Sequence, residues 1–257
     1  MRVTLYPASE LLAPYIQSFT VVETREPQTR TLIPDTCIVV GFRYAGASAL
    51  VHGDTREQLP NAIFTGLRDR ARCMRTAAES GVLLARFHPG AAAAFFRRPL
   101  HTTFGTTLAL EALAPASDVQ RTTRAVAAAA DDGARIAVFE RFLRDRLCSV
   151  AHDALVSSAL RAIEQEPVSA RVGALADQLG ISRDRLEKRF RSVVGASPKR
   201  FARILRLRRS VELYPSASTL TELAVAAGYC DQSHFTREFR AFTGEPPGRF
   251  FSRVPYC

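Results

Sequence analysis

No stretch of this sequence stays apolar for the roughly 18 residues that a bilayer-spanning helix requires. The N-terminus, MRVTLYPASELLAPYI, places Pro7, Glu10 and Pro14 where a secretory signal needs an unbroken apolar core. These two absences predict a cytoplasmic protein without a membrane partner. Cysteine is sparse and unpatterned. Cys37, Cys73, Cys148, Cys230 and Cys257 are odd in number, and no two fall at a metal-finger or redox spacing. Reduced, unpaired thiols fit that distribution, and neither a disulfide framework nor structural zinc is expected to hold the fold.

Acidic residues are in the minority. The 35 Lys and Arg outnumber the 25 Asp and Glu, for a formal net charge of +10. Such a balance favours polyanionic partners through counterion release, although it says nothing about fold. The surplus is uneven: from residue 153 onward there are 17 Lys and Arg against 11 Asp and Glu. The shorter C-terminal part is therefore the more basic. A chain of 257 residues that is 47% hydrophobic has enough apolar content for two modest domains.

The first ninety residues carry strand signals broken by turn residues. In the run from Cys37 to Tyr44, one face collects Ile38, Val40, Phe42 and Tyr44, the period of a half-buried strand. Pro34-Asp35 ahead of it reads as a turn. Tyr15–Glu23, Ala49–His52, Ala62–Thr65, Arg72–Thr76 and Val82–Phe87 are further strand candidates. Short strands at close spacing predict a barrel or sandwich rather than alternating βα units. At Pro89-Gly90 the texture changes. Ala91–Arg97 and Asp118–Ala130 favour helix, Gly133 interrupts, and Ile136, Phe139, Phe142, Leu143 and Leu147 then recur at helical spacing. These helices either pack on their own domain, pair with another subunit, or connect the domains. From Asp153 onward the chain reads as all helix, with Asp153 a cap and Pro167 a stop.

An internal repeat organises that helical part. Leu175-Ala176 with Gly180 recurs 48 residues later as Leu223-Ala224 with Gly228. Leu186, Phe190, Gly195, Pro198 and Phe201 recur 49 residues later as Phe235, Phe239, Gly244, Pro247 and Phe250. The change of offset falls between Gly180 and Leu186, where a turn absorbs one residue. Each unit has the layout of a helix-turn-helix. In the second, Thr219-x-x-Glu222 is a capping box, Leu223, Ala224 and Ala227 make a small-residue face, and Gly228 ends the helix. Asp231 caps the next helix, whose Phe235 and Phe239 lie four apart on the buried side. Gln232, Ser233, His234, Thr236, Arg237 and Arg240 are left outside, a polar and cationic face suited to base edges and phosphates. In the first unit Ser182 is the cap, Leu186 and Phe190 point inward, and Arg183, Asp184, Glu187 and Lys188 point out. Pro198 begins a helix to about Leu213 that separates the units by about 24 Å, against about 34 Å for one turn of DNA. A duplicated helical bundle would explain the aromatic core, but not the hydrogen-bonding faces on both exposed helices.

The run Gly228-Tyr229-Cys230-Asp231-Gln232-Ser233-His234-Phe235-Thr236-Arg237-Glu238-Phe239, with Gly244-Glu245-Pro246-Pro247-Gly248-Arg249-Phe250 after it, resembles the signature of the AraC/XylS family of bacterial transcription regulators. The likeness covers about residues 153–252. It implies two helix-turn-helix units, joined by a long helix, in adjacent major grooves. Gln232, Ser233, His234, Thr236 and Arg237 then form the second recognition helix, and Arg183, Asp184, Glu187 and Lys188 the first. Two features depart from the family. Pro246 stands where Ser or Thr is usual, and Asp184 and Glu187 occupy positions expected to meet bases. An acidic side chain can accept from cytosine but is repelled by phosphate. Those carboxylates either read bases or pair with Arg183 and Lys188. Further upstream, Pro34-Asp35-Thr36-Cys37 and Arg86-Phe87-His88-Pro89-Gly90 resemble segments of a degenerate cupin-like sensor domain.

An enzyme fits less well. His52-x-Asp54 supplies two ligands where a cupin metal site needs about three or four, and His88 and His101 are far apart in sequence. The Pro-Cys-His motif of a repair methyltransferase is absent. The expected architecture is α+β: a β-rich, barrel-like, cupin-like sensor domain over residues 1–115, a helical connector or dimerisation segment over 116–152, and an all-α tandem helix-turn-helix domain over 153–257. The expected partner is double-stranded promoter or operator DNA. A small effector in the N-terminal domain, a homodimer, and RNA polymerase in the case of an activator complete the set implied. No enzymatic role, metal or cofactor is expected.

Overall fold

Alternation of side chains explains the centre of the N-terminal domain. The computed structural model describes residues 1–148, 153–165 and 172–252. Its strands are β1 (Arg2–Tyr6), β2 (Ile16–Thr24), β3 (Gln28–Leu32), β4 (Val39–Ala45), β5 (Ser48–His52), β6 (Thr55–Gln58), β7 (Ala62–Thr65), β8 (Arg72–Thr76), β9 (Ser80–Phe87) and β10 (Thr107–Ala109). They form an antiparallel sheet of order β1-β2-β9-β4-β7-β10 and a second of order β3-β8-β5-β6. On the large sheet Phe19, Val21, Val40, Phe42, Leu83, Ala85 and Phe87 are all fully buried on one face. That face is covered by α1 (Ala116–Ala128) and α2 (Asp132–Arg144), with the Phe139 ring 4.8 Å from Phe42 and 5.5 Å from Phe19. The opposite face, with Thr20, Val39, Arg43, Val82, Leu84 and Arg86, lines a cavity shared with the second sheet. The sheets oppose each other across this space without closing into a barrel.

Several local expectations are corrected. The helix expected over Ala91–Arg97 is a single 3-10 turn, Ala91–Ala94, because Pro99 follows closely and a second 3-10 turn, Leu100–Thr103, starts there. Gly133 does not separate two helices. It lies in the first turn of α2, which Asp131 caps by accepting from the Ala134 N–H at 2.8 Å. By packing, α1 and α2 contribute a helical layer to the N-terminal sheet.

The C-terminal part comprises α3 (Ala154–Gln165), α4 (Val172–Gln178), α5 (Arg183–Val194), α6 (Pro198–Leu213), α7 (Leu220–Ala227), α8 (Gln232–Thr243) and α9 (Pro247–Phe251). Asp153 caps α3 as expected, accepting from the Val156 N–H at 3.2 Å; the stop expected at Pro167 lies outside the described residues. One continuous core runs from the strands through α2 into Leu186, Phe190 and Phe201 of the first unit. The second unit has its own core around Phe235 and Phe239, and Ile33 of the N-terminal domain, 3% exposed, is part of it. Among the described residues no helix is long and apolar enough to cross a membrane.

Candidate nucleic-acid interface and interior cavity

The repeat is obeyed in detail. Ser182 accepts from the Arg185 N–H, and Asp231 from the His234 N–H at 2.7 Å, so α5 and α8 start on equivalent caps. Both end on a glycine in the left-handed region, Gly195 at φ 95° and Gly244 at φ 84°. The offset change has a local cause. Two steps separate Gly180 from the Ser182 cap, but three separate Gly228 from the Asp231 cap. The additional residue lies in the turn, where Tyr229 is buried against Phe235 with ring centroids 5.1 Å apart.

On α8, Gln232, Ser233 and Arg237 are exposed and Thr236 is half-buried; with exposed Arg240 they line one shallow depression. The Thr221 hydroxyl of α7 donates to Gln232 Oε1 at 2.6 Å, bracing the start of α8. His234 is placed differently from its neighbours. Its ring meets Tyr229 edge-on at 5.4 Å, and Nε2 lies 3.7 Å from Glu238 Oε1. On α5, Arg183, Asp184 and Lys188 are exposed. Glu187 is half-buried and ion-paired to Arg183 at 3.2 Å, a helical i, i+4 pair that engages both side chains. Asp184 sits in the first turn of α5, where the helix dipole favours a negative charge. Exposed Arg185 and Arg191 of α5 were not singled out by sequence reasoning, because only the family's motif positions were carried over.

Glu238 was missed as well. It joins α8 to α6: Arg203 Nε donates to Oε1 at 2.7 Å, and Arg206 Nη2 to Oε2 at 3.0 Å. The Arg203 guanidinium also lies over the Phe242 ring, and that of Arg206 over Tyr229. The signal for this cluster was Arg203 and Arg206 one turn apart, facing a lone acid on the next helix.

Both units are docked on the N-terminal domain. The Ala71 N–H donates to the carbonyl of Phe242, near the end of α8, at 2.7 Å. Leu100 packs against Gly195 at the end of α5, and Arg200 of α6 reaches Asp69 at 3.8 Å. Asp35 couples the domains through charge. It pairs with Arg86 of β9 at 2.7 Å and faces Arg208 of α6 at 3.9 Å. Burial alone would raise the Asp35 carboxyl, but Arg86 and Arg208 hold it below the usual carboxylate range. Cys37 lies 3.6 Å from Arg86, and burial together with the Asp35 charge pushes its thiol up to about 11. The two segments that resembled a sensor domain therefore meet, at the α6 end of the cavity. That cavity has a volume of about 650 Å³, its lining surface is mainly apolar though studded with Arg30, Arg43, Arg68 and Arg86, and α6 contributes Arg208.

Comparisons with known proteins agree with this architecture. Residues 175–253 match the family described as a helix-turn-helix domain. A Streptomyces lividans protein named as an AraC-like transcription regulator is 31% identical over 100 residues. Residues 175–253 therefore carry a helix-turn-helix domain similar to that of AraC-like regulators. The match to the Streptomyces protein takes in 38% of this chain but only 33% of that one, so the chain spans a third of that curated relative. Residues 4–109 match a domain of unknown function, DUF6597. The fold of this chain is similar to that of ToxT from Vibrio cholerae, with a TM-score of 0.52 at 12% identity over 91% of this chain and 97% of that one. An apo ToxT variant gives 0.51 at 11% identity, over 97% and 100%.

Proposed function

We propose that the protein is a sequence-specific DNA-binding transcription regulator, with α5 and α8 entering successive major grooves and a small effector taken up in the cavity between the sheets. The observation that carries this reading is the duplicated helix-turn-helix. Two equivalent caps start two helices with polar, cationic outer faces, and the 16-residue α6 holds them in one arrangement. The base-reading set is Arg183, Lys188, Gln232, Ser233, Thr236 and Arg237, with Asp184 able to accept from cytosine. Glu187 instead orients Arg183, and His234 steadies α8 through Glu238. Arg185, Arg191 and Arg240 supply phosphate contacts, which position the domain without specifying sequence. A cavity walled partly by Arg208 of α6 gives an effector a direct contact with the helix that spaces the readers. RNA polymerase enters as a partner if the protein activates, and a homodimer is not needed for a tandem reader.

The test is binding of the purified chain to its own upstream intergenic DNA at two salt concentrations, with competitor DNA. A specific complex that weakens steeply with salt supports the reading. Binding that competitor DNA removes completely would point to an adaptor without an operator.

A further inference from the structure

Resting on the reading of α8 as a recognition helix, we propose that Thr221 of α7 decides which base Gln232 reads, making it a donor to guanine rather than a partner of adenine. A glutamine amide is ambiguous by itself. It carries an acceptor oxygen and a donor nitrogen, and presenting both at once matches adenine, whose N6 donates and whose N7 accepts. Here the oxygen is already engaged. The Thr221 hydroxyl donates to Gln232 Oε1 at 2.6 Å. Oxygen and nitrogen diverge from one carbon of a planar amide, so drawing Oε1 towards α7 leaves Nε2 as the end presented to the groove. That nitrogen carries two hydrogens and accepts nothing. The major-groove edge that accepts twice is that of guanine, at O6 and N7, and the single nitrogen of a lysine reads the same pair.

Both ends of the bond are held by capped helices. Thr221 sits in the first turn of α7, where Thr219 accepts from the Glu222 N–H at 3.1 Å. Gln232 opens α8 beside its Asp231 cap, and the turn between the helices is set by Gly228 at φ 90° and buried Tyr229. Thr221 itself is exposed, so its hydroxyl serves Gln232 and not the core. The surroundings agree with a donor role. Gln232 shares its depression with Ser233, Thr236, Arg237 and Arg240, and no carboxylate lines it. The two guanidiniums donate only. Glu238, the one acid of α8, is engaged by Arg203 and Arg206. The outer face of α8 is therefore rich in donors, whereas α5 exposes the acceptor Asp184.

The experiment selects preferred sites from a randomised DNA library and then measures affinity for single-base variants of the selected site. It uses the full chain unaltered and as Gln232→Ala, Thr221→Ala and Thr221→Ser. The position that Gln232 reads is the one whose preference disappears in Gln232→Ala. There the unaltered protein should favour guanine over adenine by about tenfold. Thr221→Ala frees Oε1 to accept from adenine, and should bring that ratio down to about threefold or less. Thr221→Ser keeps the hydroxyl and should keep the guanine preference. Preference at the other positions should not move in either Thr221 variant, which separates this effect from a general loss of folding. The proposal is overturned if the base lost in Gln232→Ala is not guanine, or if that variant alters no position. It is equally overturned if Thr221→Ala leaves the ratio unchanged or Thr221→Ser behaves like it. Any of those results with a selected sequence in hand leaves the regulator reading standing, whereas no selected sequence at all removes both.

Discussion

Glu238 Oε1 lies 2.7 Å from Arg203 Nε, so α8 is fixed to α6 by a hydrogen-bonded ion pair beside its aromatic core. Arg206, only 11% exposed, shares the same carboxylate. Replacing Glu238 by Ala would leave that guanidinium without its main counter-charge. The expected cost is about 3 kcal/mol, read as a lower urea midpoint. An unchanged midpoint would mean that the pairing is incidental to stability.

Arg237 and Phe235 separate reading from packing. Arg237 is exposed, and Arg237→Ala should cost about 1–3 kcal/mol of operator affinity while relaxing preference at one position. Phe235 is fully buried, and Phe235→Ala should cost about 3–5 kcal/mol of folding stability. Mobility shifts on the operator and thermal melts of both variants check the pair. Wild-type melting of the Phe235 variant would overturn the assignment of faces.

The Asp35 carboxyl is held below its ordinary range in the folded protein, so its contribution is present above the unfolded value and fades as pH falls through the folded one. Asp35→Asn should therefore be less stable than the unaltered protein at pH 7, with the gap narrowing as acidity increases below about pH 4. Denaturant midpoints at several pH values measure this. A gap that stays constant with pH would show that charge is not what Asp35 supplies.

Pro246 precedes α9 without a side-chain cap bond, whereas Ser197, its counterpart in the first unit, accepts from the Arg200 N–H. Pro246→Ser should restore that bond and stabilise the fold by about 0.5–1 kcal/mol. A calorimetric scan should show the melt moving upward; a decrease would indicate that the rigidity of proline matters more here than the missing acceptor.

What was legible in the sequence followed from how each element earns its structure. β7 and β8 matched expectation at both ends, and β2, β4, β5 and β9 within two residues; for β2, β4, β7 and β9 the reason is that their apolar residues pack on a core. β1, β3, β6 and β10 escaped. β6, TREQ, is exposed throughout, and β3, QTRTL, offers no apolar alternation, so backbone pairing rather than burial makes them strands. The repeat exposed the caps, the turn and the spacer because glycine, proline and aromatic positions recur in fixed order. The cavity stayed hidden for a physical reason. The alternation Ile38, Val40, Phe42, Tyr44 marks one side of β4 as core, but the other side, with Val39 and Arg43, has the same pattern whether it faces water or a second sheet. Only long-range pairing distinguishes those.

Ile33 has a consequence for how such chains can diversify. The core of the second helix-turn-helix unit is completed by a side chain from the loop after β3, more than 160 residues earlier in the chain. A head domain transplanted from another protein would leave that notch empty unless it brought an apolar residue to the same spot. The two halves are therefore not freely interchangeable cassettes. Substitutions near Ile33 should be inherited together with those around Leu207 and Val211, so the seam between the domains is under joint selection despite lying at a boundary.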